Sequence, residues 1–373
     1  MKMIGIIFSN IYDNAMADLT YNRTVASLPF GGRYRQIDFV LSNMVNSGIS
    51  YIGVITKYNY QSLMDHLGSC GEWDLNSKNG GVFLLPPFVT GQTSVYRGKL
   101  EALNVALNFL SKRQEEYVLL SDSTTICNID YDPILDEHIQ SGCDVTVVAH
   151  AFREADKGVQ HDLLMKADEK GNVTDMAVNL VGHEQDTMVG MGMFLMKRQH
   201  LIDVIKLSVA RDQHHFEREF LLRAFHREGL SVHVSRFNGV VLRNDSIAVY
   251  YKNNLRLAEE EVRKDLFRSD RPIYTKVRDA IPSFYGEESR VDDCIIADGC
   301  RIEGQVENSV LFRDVKVGKG AVVKNCVIMQ GTEIEKDCNI DHVITDKDVR
   351  ISEGVELKGA EAAPIVIKKG EQV

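Results

Sequence analysis

The chain has 373 residues, a formal net charge of −10 and an isoelectric point near 5.6. This length is enough for two domains with a buried core each, because 44% of the residues are hydrophobic. The acidic balance argues against nucleic acid or an anionic membrane as the main partner, since both bind proteins through a basic face. A small ligand or another protein is the expected partner.

No stretch reaches the roughly 20 apolar residues that a membrane-spanning helix needs, and the segment MKMIGIIFSNIYDN lacks a signal-peptide cleavage pattern. We therefore expect a cytoplasmic protein. The seven cysteines are odd in number, and none are spaced as CxxC. This pattern favours reduced thiols that fill apolar space over disulfides or zinc ligands.

Up to about residue 255, short apolar or β-branched runs alternate with longer amphipathic segments, as is typical of an α/β domain. The predicted strands are Ile4–Phe8, Tyr51–Thr56, Tyr117–Leu120 and Val145–Ala149. The first three are followed by stretches long enough for a crossover helix, so we expect parallel pairing. Between Lys99 and Lys112, apolar residues at helical spacing predict a helix that packs on the sheet.

From about Ile295, apolar residues recur about six positions apart with Gly and charged residues between them, which is typical of a left-handed parallel β-helix. The residues that carry this period are Ile296, Ile302, Leu311, Val317, Val323, Met329, Ile334, Ile340, Ile351 and Leu357. Residues 256–290 are charged, contain two prolines and predict a helix followed by an extended linker. The predicted domains are therefore 1–255, which is α/β, and 291–373, which is a β-helix.

Residues 28–58, LPFGGRYRQIDFVLSNMVNSGISYIGVITKY, closely resemble the start of bacterial glucose-1-phosphate adenylyltransferase, or ADP-glucose pyrophosphorylase. The resemblance covers essentially the whole chain. It implies a Rossmann-like nucleotidyltransferase domain with a mixed, mostly parallel sheet, followed by the left-handed β-helix. It also implies a family reaction in glycogen biosynthesis, in which ATP and glucose 1-phosphate give ADP-glucose and pyrophosphate with Mg²⁺.

The loop that holds the triphosphate departs from the family. Family members have a glycine-rich loop and an arginine after the first strand, then an RAKP segment. Here the strand ends at Phe8, no glycine lies between Gly5 and Gly31, and Ala15 and Val25 replace the arginine and the lysine. Without the glycines the backbone cannot easily turn its N–H groups toward a phosphate. Triphosphate activation is thus expected to be lost, unless a different loop performs it.

The metal site also departs from the family, which uses two aspartates. The sequence LLSDS at 119–123 matches the first, so Asp122 is a candidate for a vestigial metal ligand, with a simple strand-end cap as the alternative. At the second position stands Arg243, a cation that would repel Mg²⁺. Asp245, two residues further on, is a substitute candidate.

The sugar-phosphate clamp is altered as well. The family motifs FxEKP and ASMGIY place a glutamate, a lysine, a proline and a serine where this chain has Val178, Asn179, Leu180 and Gly190. Losing a lysine opposite a phosphate removes a charge-assisted contact worth about 1.5–3 kcal/mol. We expect glucose 1-phosphate to bind weakly or not at all.

Other parts of the family site are kept. The segment YRGKLEA at 96–102 matches the nucleotide-contacting YRGTADA, so Arg97, Gly98 and Glu101 are predicted to form a vestigial nucleotide-binding site. No catalytic residue is expected to be intact. The pair His214 and His215 lies in a polar, apparently helical run and predicts a solvated helix face rather than a metal site.

A cluster of arginines is a candidate site for a regulator. Arg23, Arg33 and Arg35 form a basic cluster in an acidic protein. Because the family binds phosphorylated or carboxylate regulators between its two domains, the three arginines are regulator-binding candidates, with structural ion pairs as the alternative.

His342 lies in the repeats, where some acyltransferases use a histidine, but the nucleotidyltransferase-like domain argues against that chemistry.

The triphosphate loop, the metal site and the sugar-phosphate clamp are all substituted. The chain therefore most resembles the non-catalytic, GlgD-type branch of the family. The predicted function is a partner subunit, weakly active or inactive alone and needing no cofactor, that forms a hetero-oligomer with the catalytic homologue. We expect a tetramer in which this subunit changes the turnover of the catalytic subunit or its response to a small-molecule effector. One alternative is an active sugar-1-phosphate nucleotidyltransferase with Asp122, Glu101 and Asp245 as a rearranged metal set. Another is a free-standing metabolite sensor.

Overall fold

The computed structural model describes residues 3–10, 13–57, 59–76, 80–87, 96–157, 159–181 and 186–373, without the side chains of residues 14, 17 and 155. Contacts between Cα atoms divide the chain into two compact units. Unit 1 comprises Met1–Ile11, Val40–Tyr60 and Gly68–Gly239, and unit 2 comprises Tyr12–Phe39, Gln61–Leu67 and Val240–Val373. Residues 12–39 therefore group with the C-terminal repeats. The contiguous boundaries at 255 and 291 stay a prediction.

Unit 1 is built on a nine-stranded mixed sheet. Its central strand, Met3–Phe8, pairs in parallel with Tyr51–Ile55 and Tyr117–Asp122. Gly81–Leu85 continues the parallel part, and Met188–Lys197 pairs antiparallel with Tyr117–Asp122. The other strands of the sheet are Val145–Ala151, Leu164–Ala167, Val173–Ala177 and Val232–Arg236. The predicted α/β nucleotidyltransferase fold and its four predicted strands are confirmed.

The central strand shows why this sheet forms. Ile4, Ile6, Ile7 and Phe8 expose at most 1% of their surface, and such a continuous apolar run is typical of a parallel strand covered on both faces. Short strands at Thr125–Ile126, Gln160–His161, Leu180–Val181 and Leu242–Arg243 lie outside this sheet.

The predicted helix between Lys99 and Lys112 is confirmed in broken form. It consists of Lys99–Leu103, a 3-10 turn at Asn104–Ala106, and Leu107–Ser111. Leu100 and Leu110 on its apolar face are buried in the core of unit 1. The other helices are Ala17–Thr20, Gln36–Asn46, Gln61–Leu67, Asp132–Ser141, Arg198–Ala210, the π-helix Phe216–Leu222, Arg223–Glu228, Ile247–Leu255 and Glu260–Leu266.

Unit 2 contains three parallel sheets of five short strands each, the arrangement expected for the predicted left-handed β-helix. The first sheet is Phe284–Tyr285, Arg301–Ile302, Lys316–Val317, Glu333–Ile334 and Arg350–Ile351. The second is Arg290–Asp292, Gln305–Glu307, Val322–Lys324, Asn339–Asp341 and Glu356–Lys358. The third is Ile295–Ile296, Val310–Leu311, Val327–Ile328, Val343–Thr345 and Ile365–Ile367.

The apolar ladders of the β-helix confirm the predicted period with one correction. Ile302, Val317, Ile334 and Ile351 stack in register and face the core. In the third sheet the stacked residue is Ile328 rather than the predicted Met329. Met329 is also buried, but it lies past the end of its strand.

The glycines of the PFGG segment are required by packing within unit 2. Pro29–Phe30 pairs with Tyr34–Arg35 in a tight hairpin, and the intervening Gly31 and Gly32 have φ angles of +62° and +81°. A Cβ atom on Gly31 would lie 2.7 Å from the Leu257 side chain. Only glycine combines this left-handed conformation with so close an approach.

The segment after the α/β domain is helical and then extended, as predicted. The helix Glu260–Leu266 is followed by residues without regular secondary structure until the strand Phe284–Tyr285. None of the seven cysteines, all of which lie in the described ranges, forms a disulfide. Within the described ranges, no helix is both long enough and apolar enough to cross a membrane.

Candidate nucleotide site and basic pocket

Unit 1 joins three charged side chains at the carboxyl edge of its parallel strands, where ligands of open α/β sheets bind. Asp122 ends its strand directly beside Phe8, the last residue of the central strand. Lys99, the first residue of its helix, donates to Asp122 with an Nζ–Oδ2 distance of 2.9 Å. The same nitrogen also donates to the Glu217 carboxylate. We call Lys99, Asp122 and Glu217 the ion triad.

The ion triad is largely shielded from water. The side chains of Lys99, Asp122 and Glu217 expose 6%, 3% and 15% of their surface. The rings of Phe8 and Phe194 lie 5.8 and 5.5 Å from the ammonium nitrogen, within range of a cation–π interaction. Buried charges are tolerated only when well paired, and here one ammonium is shared by two carboxylates.

A π-helix supplies one member of the triad. Glu217 lies in Phe216–Leu222, a helix type that is rare and often marks a functional site. Glu219 of the same segment accepts the backbone N–H groups of His214 and His215 at 2.5 and 2.7 Å, which anchors the start of the helix. The two histidines precede the helix, so the predicted helix face begins only at Phe216.

A backbone irregularity lets the chain approach Asp122. The strand Met188–Lys197 has a register shift between Gly190 and Met193, and Gly192 within it has a φ of +71°. A Cβ atom at Gly192 would lie 2.4 Å from Asp122 Oδ2. The structure therefore closes the backbone directly onto one side of the Asp122 carboxylate.

The predicted vestigial nucleotide residues pair with each other. The Arg97 guanidinium is 57% exposed and contacts Glu101 and Asp212, each at 3.3 Å. Burial alone would raise the pKa of Glu101, but the N–H donors and positive charge of Arg97 outweigh it and lower that pKa. Gly98 is needed because a Cβ atom there would lie 2.3 Å from the His214 carbonyl oxygen. Arg97 and Glu101 thus neutralise each other.

The four predicted clamp positions carry no charged side chain. Val178 packs against the core of unit 1, Asn179 has a left-handed φ of 54°, and Leu180 is 44% exposed. A Cβ atom on Gly190 would lie 3.2 Å from the Leu163 side chain. The serine of the family would therefore require this neighbour to shift.

The second metal position lies in unit 2. There the Arg243 side chain contacts the Asp245 carboxylate at 3.6 Å, so the substitute candidate faces a cation. Over the part of the chain that the structure describes, no group of three or more His, Cys, Asp or Glu side chains could hold a metal ion.

Unit 2 gathers two of the three regulator-binding candidates into one pocket of about 410 Å³, including its part open to solvent. Arg33 and Arg35 line it. The other cationic residues of its wall are Lys276, Arg278, Arg313 and Lys347. We call this site the basic pocket. Sequence reasoning found its first two cations and missed the other four.

Arg23 does not line the basic pocket. Its side chain is 5% exposed, and its guanidinium donates to both carboxylate oxygens of Asp346 at 2.6 Å. The structure thus gives Arg23 a buried ion-pair partner, in line with the structural alternative. Arg35 is held differently, because its guanidinium donates to the carbonyl and hydroxyl oxygens of Ser62 at 2.6 and 3.0 Å.

Asp38 contacts two residues that line the basic pocket. Its carboxylate accepts the backbone N–H of Arg35 at 2.9 Å and the hydroxyl of Thr275 at 2.6 Å. It also lies 2.5 Å from the imidazole of His66, which lines the pocket. With its oxygens engaged in this way, Asp38 fixes the backbone that carries Arg35.

The basic pocket holds excess positive charge. Burial, followed by the charges of Arg35, Arg23 and Arg278, lowers the pKa of Lys347 from 10.5 to about 7, and Asp346 only partly opposes this. Burial likewise lowers the pKa of Arg35 to about 10. An anion in this pocket would relieve the repulsion among these groups.

A sequence signal existed for two of the missed cations. Arg313 and Lys347 each lie two residues after stacked positions of the third sheet, Leu311 and Thr345. They therefore occupy the same corner of the β-helix in different coils. Lys276 and Arg278 lie in the extended linker, where no period predicts their direction.

Comparisons with known proteins agree with this architecture. The family model described as Nucleotidyl transferase matches residues 14–237, and one described as GlmU-like, C-terminal hexapeptide matches residues 281–362. The chain is 34% identical to the glycogen biosynthesis protein GlgD of Bacillus subtilis over 99% of its length and 96% of the relative. It is 37% identical to GlgD of Geobacillus stearothermophilus over the same shares.

The chain belongs to the GlgD family of nucleotidyltransferase-like proteins. It is also 29% identical to the glucose-1-phosphate adenylyltransferase of Bacillus cereus, over 96% of this chain and 95% of that one. The resemblance noted in residues 28–58 is therefore confirmed over both units.

Within this family, the donor set at the edge of the sheet does not fit a magnesium ion. The resemblance assigns Asp122 to one ligand position, but its Oδ2 atom accepts from the Lys99 ammonium. Arg243 stands at the other position and Glu101 pairs with Arg97. The sequence signal for Lys99 was its place in YRGKLEA, where the family has threonine. No signal pointed to Glu217, which is distant in sequence.

Proposed function

We propose that this chain is a non-catalytic partner subunit of glucose-1-phosphate adenylyltransferase in bacterial glycogen biosynthesis. It assembles in the cytoplasm with the catalytic homologue into a hetero-oligomer, which we expect to be a tetramer. In that assembly it changes the turnover of the catalytic subunit or its response to metabolites. Alone, it is inactive or nearly so and needs no cofactor.

The ion triad is the observation that carries this proposal. A catalytic site of this class needs cations that neutralise charge developing on the phosphates, and a metal held by carboxylates is the usual source. Here the Asp122 carboxylate is already committed to Lys99. The nine-stranded sheet and the β-helix are nevertheless kept, which supports a role that depends on the surface rather than on the pocket.

The rival metal set is disfavoured by the same kind of pairing. Each of its three carboxylates faces a cation of this chain: Asp122 faces Lys99, Glu101 faces Arg97, and Asp245 faces Arg243. A rearranged magnesium site would have to break three ion pairs, one of them buried.

We further propose that the basic pocket binds the effector, a small anion with phosphate or carboxylate groups. Six cationic side chains line it, and burial together with the charges of Arg35, Arg23 and Arg278 lowers the pKa of Lys347. Arg33 is exposed and Arg35 is pre-positioned by Ser62 and Asp38. Arg23 does not contact the anion in this proposal, and its role is the ion pair with Asp346, the residue next to Lys347.

The test combines this chain with the catalytic homologue. Each protein is assayed alone for ADP-glucose synthesis and then in the mixture, and the mass of the mixed species is measured. We expect no turnover by this chain alone, a changed rate in the mixture and a mixed assembly of defined mass. Turnover by the isolated chain at ordinary enzyme rates would support the active-enzyme alternative. Anion binding without any assembly would support a free-standing sensor.

A further inference from the structure

We propose that the Lys99 ammonium permanently takes the place of a divalent cation between Asp122 and Glu217, so that unit 1 neutralises this site internally and excludes metal from it. The family reaction needs Mg²⁺, and the donor set of this chain disagrees with that need. Metal exclusion here would hold whether the chain acts with a partner or alone.

The geometry places one cation where a metal would need to be. The Lys99 nitrogen lies 2.9 Å from Asp122 Oδ2 and also contacts a Glu217 carboxylate oxygen. Magnesium bound by these carboxylates would require the same oxygens at about 2.1 Å. The ammonium and the metal therefore compete for one position.

The surroundings prevent the lysine from moving aside into solvent. Its side chain is 6% exposed, and Phe8 and Phe194 flank the ammonium. The Lys99–Leu103 helix begins at this residue, and the neighbouring Leu100 is 1% exposed. Displacing the ammonium would thus require moving a packed helix rather than swinging a surface side chain.

The two carboxylates are held just as firmly. Asp122 ends a buried strand, and Gly192 closes on it so tightly that even a methyl group would collide. Glu217 lies in the π-helix, whose first turn is anchored by Glu219. Removing the ammonium alone should therefore leave two facing carboxylates with space between them, which is a ligand set that divalent cations bind.

The experiment measures binding of Mn²⁺, as a probe for Mg²⁺, to three forms of the full chain. These are the unaltered protein, Lys99→Ala and the control Lys99→Ala/Glu217→Gln. Electron paramagnetic resonance counts bound Mn²⁺, and thermal unfolding is followed with Mg²⁺ and with a chelator. We expect one Mn²⁺ to bind Lys99→Ala only. We also expect its melting temperature to rise by about 2 °C at a free Mg²⁺ concentration ten times the dissociation constant.

Two outcomes overturn the proposal. One is stoichiometric Mn²⁺ binding to the unaltered protein that Glu217→Gln or Asp122→Asn weakens. The other concerns Lys99→Ala, in which two carboxylates face each other without the ammonium. The proposal fails if the melting temperature of this variant rises at low pH, where a carboxylate takes up a proton, but does not rise with Mg²⁺ and the variant binds no Mn²⁺. If Lys99→Ala does not fold in chelator, its refolding is compared with and without Mg²⁺. Refolding only with Mg²⁺ supports the proposal, and failure to refold in both conditions overturns it. Neither readout depends on a partner subunit or on ADP-glucose synthesis.

Discussion

At the residue scale, the role of each cation is decided by what lies opposite it. Arg23 and Lys347 illustrate this, because both lie near Asp346. Arg23 forms two hydrogen bonds to the Asp346 carboxylate and is fully committed. Burial, followed by the charges of Arg35, Arg23 and Arg278, lowers the pKa of Lys347 to about 7. The first residue stabilises the fold, whereas the second is poised to respond to an anion.

This contrast predicts a pH dependence of anion binding. The pKa of Lys347 in the free pocket is about 7, well below the ordinary 10.5. An anion favours the charged form, so binding takes up a proton. Affinity should therefore weaken as pH rises above 7, by up to about tenfold per pH unit. Sulfate is a suitable probe because its own charge is constant over this range, and calorimetry at pH 7, 8 and 9 measures the effect.

The matched control is Lys347→Met, which should bind sulfate more weakly and lose this slope. Arg33→Ala should weaken binding while retaining the slope, because Arg33 stays charged throughout the range. Sulfate affinity that is equal at pH 7 and pH 9 in the unaltered protein would contradict the role given to Lys347.

At the element scale, irregular segments position the ion triad. The register shift around Gly192 and the π-helix Phe216–Leu222 bring backbone and carboxylate to positions that a regular strand or α-helix would not give. The β-helix shows the opposite case, because regular stacking of residues such as Val317 and Ile334 leaves little freedom. Regular geometry in the β-helix thus coexists with irregular geometry at the ion triad.

Two glycines with almost the same φ test this point. Gly192 has φ +71° and a Cβ there would lie 2.4 Å from Asp122, whereas Gly229 has φ +73° and nothing within 4 Å of a Cβ. Gly229→Ala should cost about 1–2 kcal/mol from backbone strain alone. Gly192→Ala adds a collision beside a buried charge and should cost at least twice as much. Chemical denaturation measures both, and equal losses would show that Gly192 is not tightly packed against the triad.

At the scale of the whole molecule, the family fold is kept, while the family motifs predict that the chemistry at several positions is replaced. The matches to the family models span both units, yet the loop after Phe8, the clamp at Asn179 and the second metal position at Arg243 all depart from the catalytic pattern. Part of that loop, residues 11 and 12, lies outside the described residues. The ion triad adds a further obstacle to metal binding that the family motifs alone do not indicate.

A restoration series therefore has an ordered outcome. Installing a glycine-rich loop together with Arg243→Asp and Asn179→Lys should still give no measurable ADP-glucose, because Lys99 continues to occupy Asp122. Adding Lys99→Thr, the family residue, should produce detectable synthesis in a chromatographic assay with Mg²⁺. Synthesis by the variant that keeps Lys99 would mean that Lys99 does not block the metal. No synthesis by the variant that also carries Lys99→Thr would mean that further positions have diverged.

A one-dimensional pattern was sufficient to predict the fold class, the four strands of the α/β sheet and the β-helix, because burial requires periodic apolar residues and their period is visible along the chain. The sequence also identified Arg33 and Arg35, and it missed Ile328 by one position, at Met329. Three-dimensional packing was needed to show that Lys99 faces Asp122 and Glu217, that Arg23 pairs with Asp346, and that four more cations line the basic pocket. An ion pair acts over a few ångströms in space, whereas its members are 23 to 323 residues apart along the chain, so no local pattern indicates it.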